Sequence, residues 1–168
     1  GYDAISLSWY AANLNNYILF ADKNNINNIA SFLTERKPEH ILLFGDLDTV
    51  VIEALTQFNP EIVNGGSKIN NNIAIAQRYI AFQKPDQAVL TSGEFLERDF
   101  FKANLGQPVI YLGKQEASEE TLTFLRSNSF KSLVLLGNDL VTPAQQVKET
   151  VATPLFIKFG KGRTNQQI

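Results

Sequence analysis

The feature that most constrains this chain is an internal repeat with a period of about 92 residues. The apolar run Ile41–Asp46, which ends in glycine and a polar residue, recurs 92 positions later as Leu133–Asn138. Other segments recur in the same order, and the spacing widens to 95 residues only near the end of the second copy. They are Gly1–Ile5 with Gly93–Glu97, Tyr17–Phe20 with Val109–Leu112, Ser31–Leu33 with Thr123–Leu125, and Val63–Lys68 with Lys158–Arg163. Because chance does not supply so many matches in one order, the two copies are predicted to share one fold.

Within each copy, short apolar runs alternate with longer stretches of helical periodicity, which is typical of β-α-β units with buried parallel strands. The predicted fold class is therefore α/β, with tandem Rossmann-like or Toprim-like repeats whose mostly parallel sheets are flanked by helices. Strands are expected near 17–21, 40–45, 61–64, 87–91, 108–112, 132–137 and 155–159. Helices are expected near 3–14, 25–36, 47–58, 70–82, 95–105, 118–128 and 142–150.

The repeat divides the chain into a first unit, 1–84, and a second unit, 85–168. The first unit lacks a counterpart of the strand at 87–91, and the second stops before the counterpart of the helix at 70–82 is complete. We therefore expect the sequence to be one slice of a longer array of repeats.

Several helix boundaries have a chemical signature. Ser118, followed by two glutamates, predicts a capped helix start, and Thr142 before a proline predicts another. The prolines after Lys37 and Lys84 predict that two helices end there, just before strands.

The composition excludes several classes of function. The chain has no cysteine, which excludes disulfides, thiolate metal sites and a cysteine nucleophile, and its single histidine is His40. The net charge of -2 is dispersed, so no nucleic-acid partner is expected. No apolar run approaches the roughly 18 residues of a membrane span. Neither a dinucleotide fingerprint, a phosphate loop nor a nucleophile elbow is present, and no cofactor or metal is expected.

The recurring segments, in their order along the chain, resemble the cell wall-binding repeat 2 family of surface-layer and other envelope proteins. The segments that carry the resemblance are Thr91–Gly93, Gln107–Ile110, Leu135–Gly137 and Gly160–Arg163, with Tyr17–Phe20, Leu43–Asp46 and Gly65–Lys68 in the first copy. The resemblance implies a non-catalytic, extracellular module that holds a larger protein on the cell wall by binding an anionic secondary polymer. It also implies packing against neighbouring copies of the repeat or other subunits. The first copy departs from the family in carrying Lys68 where the family has arginine.

Two glycine-rich turns are the candidate polymer-binding residues. Gly65, Gly66 and Lys68 form one turn, and they recur as Gly160, Gly162 and Arg163. Glycines permit a tight strand-to-helix turn, and N–H groups at a helix start together with a cation favour an anion. The alternative is a plain strand-to-helix turn with a solvated cation.

Other candidates have structural alternatives that we prefer. Asp46, Asp48 and Glu53 follow a strand, so they either hold magnesium or, as we expect, cap a helix. The aromatic pair Trp9 and Tyr10 recurs as Phe100–Phe101, and we predict core or inter-module packing rather than sugar stacking.

Three functions stay open from the sequence. The first is the polymer-binding anchor, and the second is a structural tile of a surface layer that assembles by protein–protein contacts. The third is a Rossmann-like small-ligand domain or enzyme, because fold alone does not determine function.

Overall fold

The computed structural model describes residues 2–14, 16–91, 106–113, 115–136 and 140–158. The helices are α1 (Tyr2–Leu14), α2 (Ile26–Arg36), α3 (Thr49–Leu55, continued by a short 3-10 turn, Thr56–Phe58), α4 (Lys68–Gln83), α5 (Glu119–Ser127) and α6 (Val141–Thr150). The strands are β1 (Leu42–Phe44), β2 (Glu61–Val63), β3 (Gln87–Thr91), β4 (Val109–Tyr111), β5 (Ser132–Leu136) and β6 (Leu155–Lys158).

The strands form two sheets, and every pairing between them is parallel. β1 and β2 make a small sheet, with Leu43 opposite Ile62. The second sheet has the order β4-β3-β5-β6, in which Val89 lies opposite both Val109 and Val134. This confirms the predicted α/β class, since parallel strands need helical crossovers to join them.

The described strands and helices agree with the predicted ones within about two residues at most ends, with one clear error. No strand forms at 17–21, where the chain has no regular secondary structure. In the second sheet, the corresponding strand β4 is held by β3. The described residues contain no strand that could hold 17–21 in the same way, and an unpaired strand leaves its N–H and C=O groups without partners. The helix predicted at 95–105 lies outside the described residues.

The elements of the two halves recur at the period of the sequence repeat. α3 begins at Thr49 and α6 at Val141, 92 residues apart, and β1 occupies positions whose counterparts all lie in β5. The division at residue 84 stays a prediction, because the main core contains side chains from both halves, such as Ile75 and Leu133.

The apolar residues pack into two clusters. The larger joins α1 and α4 to the second sheet and its helices, with Val89, Leu90 and Leu133 fully buried at its centre. The smaller lies between the first sheet and helices α2 and α3, around Leu43 and Val51. The central strands read as continuous apolar runs because helices cover the faces of a parallel sheet, while neighbouring strands pair with the strand edges.

The predicted caps are confirmed at three of four positions. Ser118 caps α5, and its Oγ accepts the N–H of Thr121 at 3.1 Å. Lys37 and Lys84 end α2 and α4 in the left-handed conformation, with φ of 48° and 46°. The cap predicted at Thr142 is wrong: the helix begins at Val141 and its N-cap position is Leu140, so Thr142 has a helical rather than a capping backbone.

No helix in the described ranges is both long enough and apolar enough to span a bilayer.

Candidate functional site

The predicted turn of the first copy connects β2 to α4. β2 ends at Val63, and the chain passes through residues 64–67 before the helix begins at Lys68. The N–H of Gly45 donates to the carbonyl oxygen of Val63 at 2.9 Å, so the turn starts beside the loop that follows β1. Gly65, Gly66 and Lys68 thus lie at the carboxyl end of the first sheet, with Lys68 exposed at the first position of the helix.

Both glycines are required by the backbone. A Cβ on Gly65 would lie 2.4 Å from the carbonyl carbon of Asn70, in the first turn of α4. Gly66 has φ of +87°, a conformation that side chains with a Cβ rarely adopt. The N–H of Gly66 donates to Oδ1 of Asn64 at 3.0 Å, which closes the turn on itself.

The start of α4 supplies its own hydrogen-bond acceptors. The N–H of Gly65 donates to Oδ1 of Asn71 at 2.6 Å, and Oγ of Ser67 accepts the N–H of Asn70 at 3.1 Å. The glycine N–H groups therefore already have partners within the protein. An anion at this turn would meet the positive end of the helix dipole and the Lys68 ammonium rather than the glycine N–H groups.

The second predicted turn cannot be compared with the first. Gly160, Gly162 and Arg163 lie outside the described residues. Whether the two turns bind an anion stays a prediction for both copies.

The sheet order places the turn away from the usual ligand crevice of open α/β sheets. In the second sheet the chain runs outward from β3 to β4 and then crosses to β5 and β6, so the strand order reverses between β3 and β5. Ligands in such folds collect beside the carboxyl ends of the two strands at the reversal. The predicted turn follows β2. In the second half the counterpart of β2 is β6, which is an edge strand and is separated by β5 from the point of reversal.

Sequence reasoning missed a buried polar residue whose side chain makes three hydrogen bonds. Asn72 on α4 is 1% exposed, and its Nδ2 donates to the carbonyl oxygen of Val109 at 2.8 Å and to Oγ of Ser6 at 3.0 Å. Its Oδ1 accepts the N–H of Tyr111 at 2.9 Å. The side-chain amide therefore bonds the outer edge of β4 much as a neighbouring strand would. The available signal was spacing, because Asn72 lies on the apolar stripe of α4 with Ile75 and Tyr79.

The acidic residues of the first copy do not converge on a metal site. Asp46, Asp48 and Glu53 are all exposed, and the described residues hold no group of three or more potential metal ligands. Asp48 occupies the N-cap position of α3, as the capping alternative predicted, but it uses its backbone. Its carbonyl oxygen accepts the N–H of Ile52 at 3.1 Å, and its carboxylate makes no capping bond.

Trp9 and Tyr10 of α1 pack inward, which confirms the packing prediction for the first copy. Trp9 and Tyr10 are 2% and 5% exposed, and their rings meet Tyr79 edge to face at centroid distances of 5.4 and 6.4 Å. Burial raises the pKa of the Tyr79 phenol above its ordinary value. The counterparts at 100–101 lie outside the described residues.

Two shallow grooves run along α4. One lies between α4 and α5 and includes Ile73 and Phe124. The other lies between α4 and the outer edge of β2, and it reaches Asn64 at the beginning of the predicted turn. In the second groove, Arg78 pairs with Glu61.

Comparisons with known proteins support the fold. No family model and no curated protein matches the sequence. The structure is similar to that of Cwp6 from Clostridium difficile, with a TM-score of 0.73 and 18% sequence identity. The similarity covers 95% of this chain and 28% of that one, so the chain spans less than a third of Cwp6. At this identity the likeness establishes a shared fold.

Proposed function

We propose that this chain belongs to a protein of the cell envelope and is a non-catalytic module that binds an anionic polymer of the cell wall. The order of the repeated segments, which resembles that of the cell wall-binding repeat 2 family, and the fold shared with Cwp6 both support the envelope role. The observation that carries the binding role is the turn at Gly65–Lys68, where a cation stands at the start of a long helix.

The physical case for an anion rests on the helix that follows the turn. α4 has 16 residues, long enough to place about half a positive charge at its first turn. Lys68 adds a positively charged group at the same end, and the residue is exposed. A polymer with repeated negative charges gains from both, and more so when a second turn with Arg163 engages the same chain.

The groove beside β2 gives such a polymer a path away from the turn. It begins at Asn64 and contains the guanidinium of Arg78, whose Nε donates to the hydroxyl of Tyr10 at 2.9 Å. Arg78 also lies over the ring of Phe82, at 5.2 Å from its centroid. Because Glu61 already pairs with Arg78 in this groove, a carboxylate or phosphate of the polymer would compete with Glu61 for the guanidinium.

The exposed apolar side chains of the same groove favour one alternative, the structural tile of a surface layer. Ile62 and Phe82 are 55% and 64% exposed. Apolar side chains on an outer face favour contact with another protein surface. The tile function requires no polymer, so a polymer-binding experiment separates the two.

Co-sedimentation with purified cell walls tests the anchor, using walls before and after chemical removal of their anionic polymers. Binding is expected to the untreated walls only and to weaken as salt rises. The variant Lys68→Ala with Arg163→Ala should bind at least about tenfold more weakly, since charge-assisted hydrogen bonds contribute about 1.5–3 kcal/mol each. The matched control is Lys23→Ala with Lys148→Ala, which removes two other exposed lysines and the same total charge.

The control variant is expected to bind like the unchanged chain. Equal weakening of both variants would mean that net charge, not the two turns, drives the binding. No binding to either wall preparation would reject the anchor and favour the surface-layer tile.

A further inference from the structure

The turn that connects β2 to α4 begins with the one Asn-Gly pair of the sequence, Asn64–Gly65. In such a pair the backbone nitrogen of the second residue can attack the side-chain amide of the first, because glycine has no side chain to obstruct the approach. Asn64 is exposed, so water reaches its side-chain amide. The matching position of the second copy is Phe159, so the second copy has no amide to react at this place.

One hydrogen bond of the turn favours this attack. The N–H of Gly66 donates to Oδ1 of Asn64 at 3.0 Å, which makes an Asx-turn. The ring of atoms that this bond closes includes the side-chain amide carbon of Asn64 and the backbone nitrogen of Gly65, the two atoms that react. The same N–H stabilises the negative charge that develops on Oδ1 as the nitrogen attacks.

A second hydrogen bond opposes the attack. The N–H of Gly65 donates to Oδ1 of Asn71 at 2.6 Å. Asn71 is only 2% exposed, so water does not readily take the place of this acceptor. The nitrogen of Gly65 becomes a nucleophile only when it loses this proton, and the bond to Asn71 stabilises the protonated form. Asn71 therefore slows the reaction that the Asx-turn favours.

We propose that Asn64 is a site of spontaneous deamidation and that Asn71 restrains its rate. Water or hydroxide takes the N–H proton of Gly65, and the nitrogen forms a bond to the side-chain amide carbon of Asn64. The bond from that carbon to the side-chain nitrogen breaks, and the nitrogen leaves as ammonia after taking a proton from solvent. Water then opens the resulting ring at either carbonyl carbon and leaves aspartate or isoaspartate. The net reaction consumes one water and converts a neutral amide into a carboxylate.

The product changes the charge of the candidate binding turn. A carboxylate at position 64 is ionised at neutral pH, and it belongs to the same turn as Lys68, at the positive end of α4. The helix start and the Lys68 ammonium then have an internal anion beside them, which weakens their attraction for an external one. This consequence rests on the proposed polymer binding, whereas the deamidation itself does not.

Incubation of the chain at mildly alkaline pH, followed by peptide mapping with mass spectrometry, tests the modification. Asn64 is expected to gain about 1 Da, the difference between an amide and a carboxyl group. It should do so before Asn24, which is also exposed but is followed by Asn25 rather than by glycine. Asn59 is the internal control, because it is exposed and precedes Pro60, whose nitrogen has no proton to lose. Conversion of Asn64 no faster than that of Asn24 would overturn the proposed site.

Two variants test the role of Asn71. Asn71→Ala should speed the conversion of Asn64 by about threefold to tenfold, which corresponds to the contribution of one hydrogen bond. The matched control Asn70→Ala should leave the rate unchanged, because the side chain of Asn70 does not accept the N–H of Gly65. Circular dichroism checks the folding of both. If Asn71→Ala does not fold, Asn71→Leu replaces it, since leucine keeps the size of the side chain without the acceptor. An unchanged rate would overturn the role of Asn71.

Co-sedimentation with untreated cell walls tests the consequence for binding. Asn64→Asp, which places the product carboxylate in the turn, should bind about twofold to fivefold more weakly than the unchanged chain, as expected for one charge near a helix end. Asn24→Asp adds the same charge at another exposed position and should bind like the unchanged chain. Equal binding of the unchanged chain and Asn64→Asp would overturn the consequence. Absence of binding by the unchanged chain would reject the anchor instead, while the mass measurements would still decide the deamidation.

Discussion

Replacing Asn72 with alanine tests whether one buried amide closes the edge of the second sheet. The side chain makes three hydrogen bonds, to the backbone of Val109 and Tyr111 and to the hydroxyl of Ser6, at distances of 2.8–3.0 Å. All three partner residues are at most 1% exposed, so water does not replace the lost bonds without opening the core. The Ser6 oxygen loses only a donor in the variant, whereas the two backbone groups of β4 are fixed in place and lose their bonds to the amide.

The expected loss follows from those two backbone groups. A buried donor or acceptor left without a partner costs about 1–3 kcal/mol, so the Asn72→Ala variant should lose about 2–5 kcal/mol of unfolding free energy. Domains have about 5–15 kcal/mol in total, so the variant should still fold in water. Urea denaturation followed by circular dichroism and by the fluorescence of Trp9, the single tryptophan, measures the loss.

The matched control is Asn70→Ala, two residues earlier in the same helix. Asn70 is only half-buried, and its backbone N–H, not its side chain, makes the bond to Ser67. This control should change the unfolding free energy by less than about 0.5 kcal/mol. Equal losses for the two variants would refute the reasoning, because the amide of Asn72 would then contribute nothing specific to the edge of β4.

Three further outcomes follow from the turn, the caps and the core. Gly65→Ala should lower the melting temperature more than Gly66→Ala. A Cβ at position 65 would lie 2.4 Å from the backbone of Asn70, whereas a Cβ at position 66 meets only the left-handed backbone strain of about 1–2 kcal/mol. The reverse order of melting temperatures would contradict this. Ser118→Ala removes the cap of α5 and should cost about 1 kcal/mol in urea denaturation, while Ser118→Asn should stay near the unchanged chain. Burial raises the pKa of Tyr79 above 10.0, so its contribution to stability is complete below pH 10 and is lost as the pH rises through the folded-state pKa. Tyr79→Phe should reduce that alkaline loss, and an unchanged pH profile would exclude Tyr79 as its source.

The sequence predicted most of the elements because their signals are local. The apolar runs at 87–91 and 132–136 and the helical periodicity at 118–128 each depend on neighbours within a few residues. The caps at Ser118, Lys37 and Lys84 are local as well. The run at 17–21 has the same local signal as β4, but a strand also needs a partner, and the partner of β4 is a distant segment.

The candidate site was predictable in its backbone but not in its bonding. Gly65 and Gly66 read as a strand-to-helix turn from sequence, and they form one. That the N–H of Gly65 bonds the side chain of Asn71, a helix residue six positions later, could not be predicted from the sequence pattern. The bonds from Asn72 reach 37 and 39 residues along the chain.

By itself, then, the sequence determined the α/β alternation, the 92-residue period and most helix ends, because periodicity, proline and capping residues act over a few positions. Only the tertiary structure decided which polar residues are buried and which apolar ones stay exposed. Asn72 is buried because β4 presents an edge that needs a donor and an acceptor. Tyr17 is exposed because nothing in the described residues covers it, and burial depends on contacts between segments that are distant in sequence.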